Sequence, residues 1–120
     1  MAVRGIRGAV QISDDSADSL AREVPVLIEE MLKLNGLSFE CLISVLFTAT
    51  PDLISDFPAA AARSLPLGDV PLICAQEIAV THGMARVVRV LMHVETSLAR
   101  SEVQHVYLGA TRILRKDLAQ

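Results

Sequence analysis

The stretch VRGIRGAVQI, residues 3–12, combines β-branched residues with a loose alternation of apolar and other side chains. This pattern predicts an opening β-strand. Alternation along a strand places Arg7 on the same face as Gly5 and Ala9, so the long cationic side chain has small neighbours. The stretch therefore predicts the first strand of a sheet, with a positive charge on one of its faces.

An amphipathic helix is predicted after this strand. Residues 14–16, two aspartates and a serine, offer helix N-caps. Apolar residues then recur at spacings of four and three: Leu20, Val24, Leu27, Met31 and Leu34. The Asn-Gly pair at residues 35–36 predicts the end of the helix, and Pro25 inside the pattern predicts a kink.

The rest of the chain predicts further strands and one short helix. Apolar runs indicate strands at residues 42–48, 70–78, 87–95 and 105–114. Residues 57–65 form a short helix, with Pro58 near its first turn, and residues 81–83 form a turn. We therefore expect one domain over residues 1–120 with a mixed α/β (α+β) fold, in which about five strands pack with two helices.

The composition excludes several classes of partner. The formal net charge is -3 and aromatic residues make up 3% of the chain, so neither a basic stripe nor a base-stacking surface for nucleic acid is expected. The longest apolar run, residues 42–49, is too short for a membrane span and carries Ser44 and Thr48. The high mean hydropathy of +0.44 therefore indicates extra buried surface, in strands or between subunits.

Cysteine and histidine show no metal-ligand spacing. Cys41 and Cys74 do not form a CxxC motif, and the three histidines fit no known pattern of ligands. With neither a disulfide framework nor a signal peptide in the sequence, we expect a reducing cytoplasm. We expect no metal and no other cofactor.

Four polar residues stand where a core pattern excludes them. Arg7, Glu77, Arg89 and Tyr107 each interrupt a predicted apolar strand, and burial of such groups without a partner is costly. Each one alone has a simpler explanation, since Glu77 and Arg89 can pair with one another or point to solvent from an edge. Together they indicate a pocket for a small organic anion, because arginine forks suit carboxylates. No nucleophile with an adjacent base and no glycine-rich phosphate loop is visible, so binding and electrostatic stabilisation are expected rather than covalent chemistry.

A series of motifs extends this interpretation along the whole chain. In order, they are RGIRGA at 4–9, TATPDL at 48–53, FPA at 57–59 with Arg63, VP at 70–71 leading to Cys74, QE at 76–77, RV at 89–90, HVYL at 105–108, LR at 114–115 and DL at 117–118. The series resembles the AroH-class chorismate mutases. The resemblance implies a monofunctional enzyme that assembles as a pseudo-α/β-barrel homotrimer. It would rearrange chorismate to prephenate, in phenylalanine and tyrosine biosynthesis, without a cofactor.

The resemblance also implies roles for individual residues. Arg7 and Tyr107 would hold the carboxylate of the enolpyruvyl side chain. Arg89 would reach the ether oxygen and the same carboxylate. Glu77 would accept a hydrogen bond from the ring hydroxyl, with Cys74 beside it. A regular strand places Cys74 and Glu77 on opposite faces, so a bulge or a strand end near Glu77 is required.

Further implied residues belong to the edges of the pocket. Phe57 and Ala59 would form a wall supplied by the neighbouring subunit, with Arg63 near the ring carboxylate. Leu114 and Arg115 would belong to a C-terminal segment that closes over the site.

Three features depart from the family pattern. Ala60 stands where relatives often have lysine, which removes a positive charge from the pocket rim, so substrate capture would depend on Arg63 and Arg115. Ile73 stands where relatives can have a polar residue. The sequence ends at Gln120, which leaves fewer residues for the closing segment.

Two alternative functions remain at this point. One is an imine deaminase of the RidA-like type, whose trimeric architecture and interfacial arginine are similar but which lacks the RGIRGA start. The other is a non-catalytic trimer that binds a small anion in the same pocket.

Overall fold

The predicted opening strand lies inside a five-stranded mixed sheet. The computed structural model describes residues 1–114. The strands are β1 (Ala2–Gln11), β2 (Leu42–Ala49), β3 (Leu72–Gln76), β4 (Val87–Thr96) and β5 (Val106–Tyr107). Their order is β3-β2-β4-β1-β5. The β2–β3 and β1–β5 pairs are parallel, and β4 is antiparallel to both of its neighbours. The mixed fold and the number of strands predicted from the sequence are confirmed.

Two helices cover one face of the sheet. Helix α1 (Ala17–Leu34) begins at Ser16, whose hydroxyl accepts from the Ser19 N–H at 3.1 Å. It continues without a break through Pro25, and Gly36 follows its end at φ 65°. The short second helix is also confirmed, as α2 (Pro58–Ala61) followed by a 3₁₀ turn, Ala62–Ser64.

The core lies between α1 and the sheet. Leu20, Val24, Leu27 and Met31 of the predicted helical stripe are fully buried, whereas Leu34 at the helix end is 38% exposed. A β-carbon added at Gly8 would collide with the sulfur of Met31 and would lie 3.1 Å from Leu27 Cδ1. The close packing of α1 on β1 therefore explains why the RGIRGA segment has a glycine at this position.

The opposite face of the sheet is largely uncovered, and we call it the open face. Alternation places Val3, Leu46, Ile73 and Leu91 there, and these side chains are 57%, 39%, 62% and 36% exposed. Arg89 of β4 belongs to the same face. A second small cluster of Ala9, Val87 and Tyr107, with Met84 and Leu114 packed against it, covers one end.

Two of the predicted strands are shorter than expected. The strand predicted at residues 70–78 contains only Leu72–Gln76, at the edge of the sheet. The prediction for residues 105–114 is wrong beyond Tyr107, because Gly109 takes φ 56° and a 3₁₀ segment, Gly109–Ile113, follows. The Thr111 hydroxyl anchors this segment to the Ala9 and Leu108 carbonyls at 3.1 and 2.7 Å.

No helix within residues 1–114 has the length and apolar character that crossing a membrane requires.

Candidate active site

An ion pair between Glu77 and Arg89 lies at the open face. Arg89 Nε donates to Glu77 Oε2 at 3.0 Å, and the Thr48 hydroxyl donates to the same oxygen at 2.6 Å. Thr48 is opposite Arg89 in the β2–β4 register. Glu77 and Arg89 therefore pair with one another, which is the structural explanation that the sequence left open. Within residues 1–114, however, no acceptor binds Nη1 or Nη2 of Arg89, so these donors remain available to a ligand.

Alternation along β3 brings Glu77 to this face, the same side of the sheet as Ile73. β3 ends at Gln76, and the Glu77 N–H donates to the Ala49 carbonyl at 2.9 Å. This strand end does not bring Cys74 beside Glu77, because the two residues stay on the opposite faces that a regular strand gives them. Cys74 pairs with the buried Phe47 and packs against the main core, on the opposite face from Arg89. Within one chain, the structure does not place Cys74 beside Glu77.

Arg7, Arg89 and Tyr107 converge on one cavity of about 310 Å³. Leu46, Thr48 and Leu91 are among its other lining residues. The Arg7 side chain is exposed and its guanidinium has no hydrogen-bond or ion-pair partner in the described part of the chain. Tyr107 is 4% exposed and lies beside Ala9 in the β1–β5 register. Two cationic forks and a phenol therefore line one small cavity.

A second cavity, of about 450 Å³, also borders Arg89. Glu77, Arg89, Val87 and Leu114 are among its lining residues. Arg89 thus borders both the cavity that contains Glu77 and the cavity that contains Arg7 and Tyr107. Leu114 is the last described residue, and the predicted role of Arg115 falls outside the described residues.

Phe57 and Cys74 share a third cavity, of about 490 Å³. The Phe57 ring is 70% exposed. Ala59 is half-buried against the core, and Arg63 is exposed without a partner among residues 1–114. The described chain therefore does not bring Phe57, Ala59, Arg63 and Cys74 together with Arg7, Arg89 and Tyr107.

Hydrogen bonds order the loop that carries Phe57. The Asp15 carboxylate accepts from the Ile54 and Ser55 N–H groups, both at 3.1 Å. Hydrogen bonding from Ser55 is the main cause that holds the pKa of Asp15 below its usual value. The Asp56 carboxylate accepts from the Phe57 N–H at 2.8 Å. The exposed aromatic ring is thus presented from a fixed backbone.

Metal chemistry has no evident ligand set in this part of the chain. Residues 1–114 contain no group of three or more His, Cys, Asp or Glu side chains that could hold a metal ion. The residues around Arg89 suit a small organic anion, because arginine forks bind carboxylates and the Glu77 carboxylate can accept from a hydroxyl.

Sequence reasoning gave no individual role to Thr48. The residue stands inside the TATPDL motif, but its contact with Glu77 depends on the β2–β4 register and on the end of β3. The motif points to the segment that contains Thr48, but it does not indicate the hydrogen bond to Glu77.

Comparison with known proteins assigns the family. The model of the family "Chorismate mutase type I" matches residues 3–118. Chorismate mutase AroH of Thermus thermophilus is 43% identical over 97% of this chain and 96% of its own length. That of Bacillus subtilis (strain 168) is 38% identical over 99% and 94%. A solved chorismate mutase from Clostridium thermocellum superposes with a TM-score of 0.88 at 39% identity, covering 92% of this chain and 98% of its own. The chain belongs to the type I chorismate mutase family.

Proposed function

We propose that this chain converts chorismate to prephenate, in the cytoplasm, at active sites shared between neighbouring subunits of a homotrimer. The observation that carries the proposal is the convergence of Arg7, Arg89 and Tyr107 on one cavity. Glu77 is bound to Arg89, which lines this cavity and the neighbouring one. Family membership supplies the substrate, and the site supplies groups that match its two carboxylates, ether oxygen and hydroxyl.

The reaction requires little chemical participation from the protein. The reaction is a pericyclic Claisen rearrangement, in which the ether C–O bond breaks ahead of C–C bond formation. Negative charge therefore builds on the ether oxygen, and no acid, base or metal is needed. The protein must hold a flexible dianion in a chair-like conformer and place fixed positive charge where charge develops.

Each task falls to a residue with suitable contacts. Arg89 uses Nε to bind Glu77, which fixes the direction of its guanidinium and leaves the Nη donors for the ether oxygen. Arg7 and Tyr107, which line the same cavity as Arg89, receive the enolpyruvyl carboxylate. Glu77 Oε1, which has no partner among residues 1–114, accepts from the ring hydroxyl. Restriction of the conformer and electrostatic stabilisation together must supply at least about 8 kcal/mol.

The remaining predicted residues fit a site completed by a neighbour. Phe57, Ala59 and Arg63 lie away from the Arg7–Arg89 cavity of their own chain, and Cys74 shares the Phe57 cavity. We assign all four to the wall that one subunit presents to the site of the next. Under this assignment, Cys74 lies near Glu77 of the neighbouring subunit and not near Glu77 of its own chain.

The open face supports the trimer. A sheet face with exposed Val3, Leu46, Ile73 and Leu91 would leave apolar surface in water, and association removes it. Contact between the open faces of successive subunits is heterologous and closes into a ring. The same association excludes water from Arg89 and strengthens its field at the ether oxygen.

Neither alternative function is favoured, because the family match and the relatives point to chorismate mutase rather than to an imine deaminase or a non-catalytic binder. The direct test is to mix the purified protein with chorismate and follow the loss of chorismate absorbance and the appearance of prephenate. Saturable conversion is expected. Tight binding of chorismate without conversion would support the non-catalytic binder and refute the proposed activity.

A further inference from the structure

A strained residue lies where the loop of residues 77–86 enters β4. Arg86 has φ 54°, and it is the one non-glycine residue with positive φ among residues 1–114. A residue with a β-carbon occupies this region only when its surroundings hold it there. The groups that hold Arg86 therefore determine how β4 begins.

Asp52 is the main group that holds this backbone. Its two carboxylate oxygens accept from the Arg86 N–H at 3.2 and 3.0 Å. The Arg86 side chain is also fixed, because Nε donates to the Ile12 carbonyl at 2.9 Å. The Ile12 N–H returns a hydrogen bond to the Arg86 carbonyl at 2.7 Å. The left-handed conformation is thus fixed from the carboxylate side and from the end of β1.

Thr50 connects this arrangement to the first residue of β4. Its hydroxyl donates to Asp52 Oδ1 at 2.5 Å and accepts from the Val87 N–H at 3.0 Å. Arg89 follows two residues later on the same strand. The segment from Thr50 to Asp52 therefore sets where the strand that carries Arg89 starts.

The other end of the loop is anchored to the same region. The Glu77 N–H donates to the Ala49 carbonyl, directly before Thr50. Both ends of the loop are thus attached to residues 49–52. Glu77 is the first residue of the loop, and Arg89 lies three residues after its last residue. Asp52 borders the cavity that Glu77 and Arg89 also line, but it makes no hydrogen bond to either of them within the described chain.

We propose that Asp52 is a positioning residue for the Glu77–Arg89 pair and acts through the backbone of Arg86. It holds Arg86 in the left-handed region, which fixes the start of β4 and hence the direction in which Arg89 presents its Nη donors. The inference rests on the proposed function, because the positioned groups are those assigned to the ether oxygen and the hydroxyl. It gives a role to a residue of the TATPDL motif that the mechanism leaves unused.

The test compares kcat and KM of Asp52→Ala, Arg86→Gly and the double variant with those of the wild type. Asp69→Ala is the matched control, because it makes the same substitution at an exposed aspartate that has no hydrogen bond or ion pair within residues 1–114. Misplacement of a catalytic group by about 1 Å can reduce the rate by roughly a hundredfold. We therefore expect Asp52→Ala to lower kcat by roughly tenfold to a hundredfold with little change in KM, and Asp69→Ala to leave both unchanged.

Rescue distinguishes positioning from a general loss of structure. Glycine adopts φ 54° without strain, so Arg86→Gly should restore most of kcat in the Asp52→Ala background. A normal kcat in Asp52→Ala would overturn the proposal. A double variant as slow as Asp52→Ala would also overturn it, because the effect would then not pass through Arg86.

A conservative variant covers the case in which Asp52→Ala does not fold. Asp52→Asn retains one acceptor oxygen for the Arg86 N–H, so we expect a folded protein with a several-fold lower kcat that Arg86→Gly restores. Wild-type kcat in Asp52→Asn would then overturn the proposal. Absence of activity in the wild type, measured alongside, would count against the proposed function itself. An active wild type with unaffected Asp52 variants would count against the positioning role alone.

Discussion

Replacement of Arg89 by a neutral side chain of similar length should weaken stabilisation of the transition state far more than it weakens substrate binding. In Arg89→Met the strand is retained, but the Nε bond to Glu77 at 3.0 Å and the Nη donors are lost. Loss of one preorganised donor to a developing oxyanion costs about 3 kcal/mol. This corresponds to a decrease in kcat on the order of a hundredfold.

Lysine at this position should also perform poorly. Arg89 binds Glu77 through Nε, and in the proposed mechanism it binds the ether oxygen through Nη. A single ammonium cannot bridge both with the geometry of the guanidinium. Arg89→Lys should therefore have a kcat much closer to that of Arg89→Met than to that of the wild type.

The assay is steady-state conversion of chorismate, with kcat and KM determined separately. Arg22→Met, which removes an exposed cation from α1 whose side chain is 65% accessible, is the control for the change in net charge. If Arg89→Met or Arg89→Ala keeps a near-normal kcat and shows only a raised KM, the residue provides uniform binding and the transition-state role is refuted.

Three further predictions concern packing, capture and cofactors. Gly8→Ala should destabilise the protein by about 1–3 kcal/mol in urea unfolding, whereas a β-carbon at Gly5 would meet Leu91 at an ordinary 3.5 Å and should have little effect; equal stability of the two variants would contradict the packing argument. Ala60→Lys should lower KM with kcat nearly unchanged, and added salt should reduce the benefit; an unmoved KM at low salt would mean that this position does not face the pocket. Activity should survive exhaustive chelation, and a loss that added Mg²⁺ or Zn²⁺ restores would contradict cofactor independence.

Local periodicity explains which parts of the fold could be predicted. The pattern of Leu20, Val24, Leu27 and Met31 extends over about three helical turns, and α1 follows it. The error at residues 105–114 has a different origin, because the chain leaves the sheet at Gly109 and Thr111 bonds to Ala9, 102 residues earlier. Apolar residues alone do not reveal a contact of that sequence separation.

In the site, too, some residues could be found from the sequence and others could not. Arg7, Glu77, Arg89 and Tyr107 could be found because a charge or phenol in an apolar strand is unusual, and the sheet brings three of them to one cavity. Alternation along β3 correctly separates Cys74 and Glu77 onto opposite faces, and it was the expectation of Cys74 beside Glu77 of the same chain that strand periodicity did not support. The contacts of Thr48 and Asp52 depend on register and on a left-handed backbone at Arg86, and strand periodicity encodes neither.

Complementation between two inactive variants tests the shared site most directly. Arg89→Ala removes the group for the ether oxygen, and Phe57→Asp sets a carboxylate against a dianionic substrate on the side supplied by the neighbour. Each variant refolded alone should be inactive, and both must sediment as trimers. After equal mixing, denaturation and refolding, each site draws Arg89 from one chain and Phe57 from the next. Both are wild type in about one half times one half of the sites, so about a quarter of wild-type activity should return. Mixed trimers with no more activity than the separate variants would contradict the shared site.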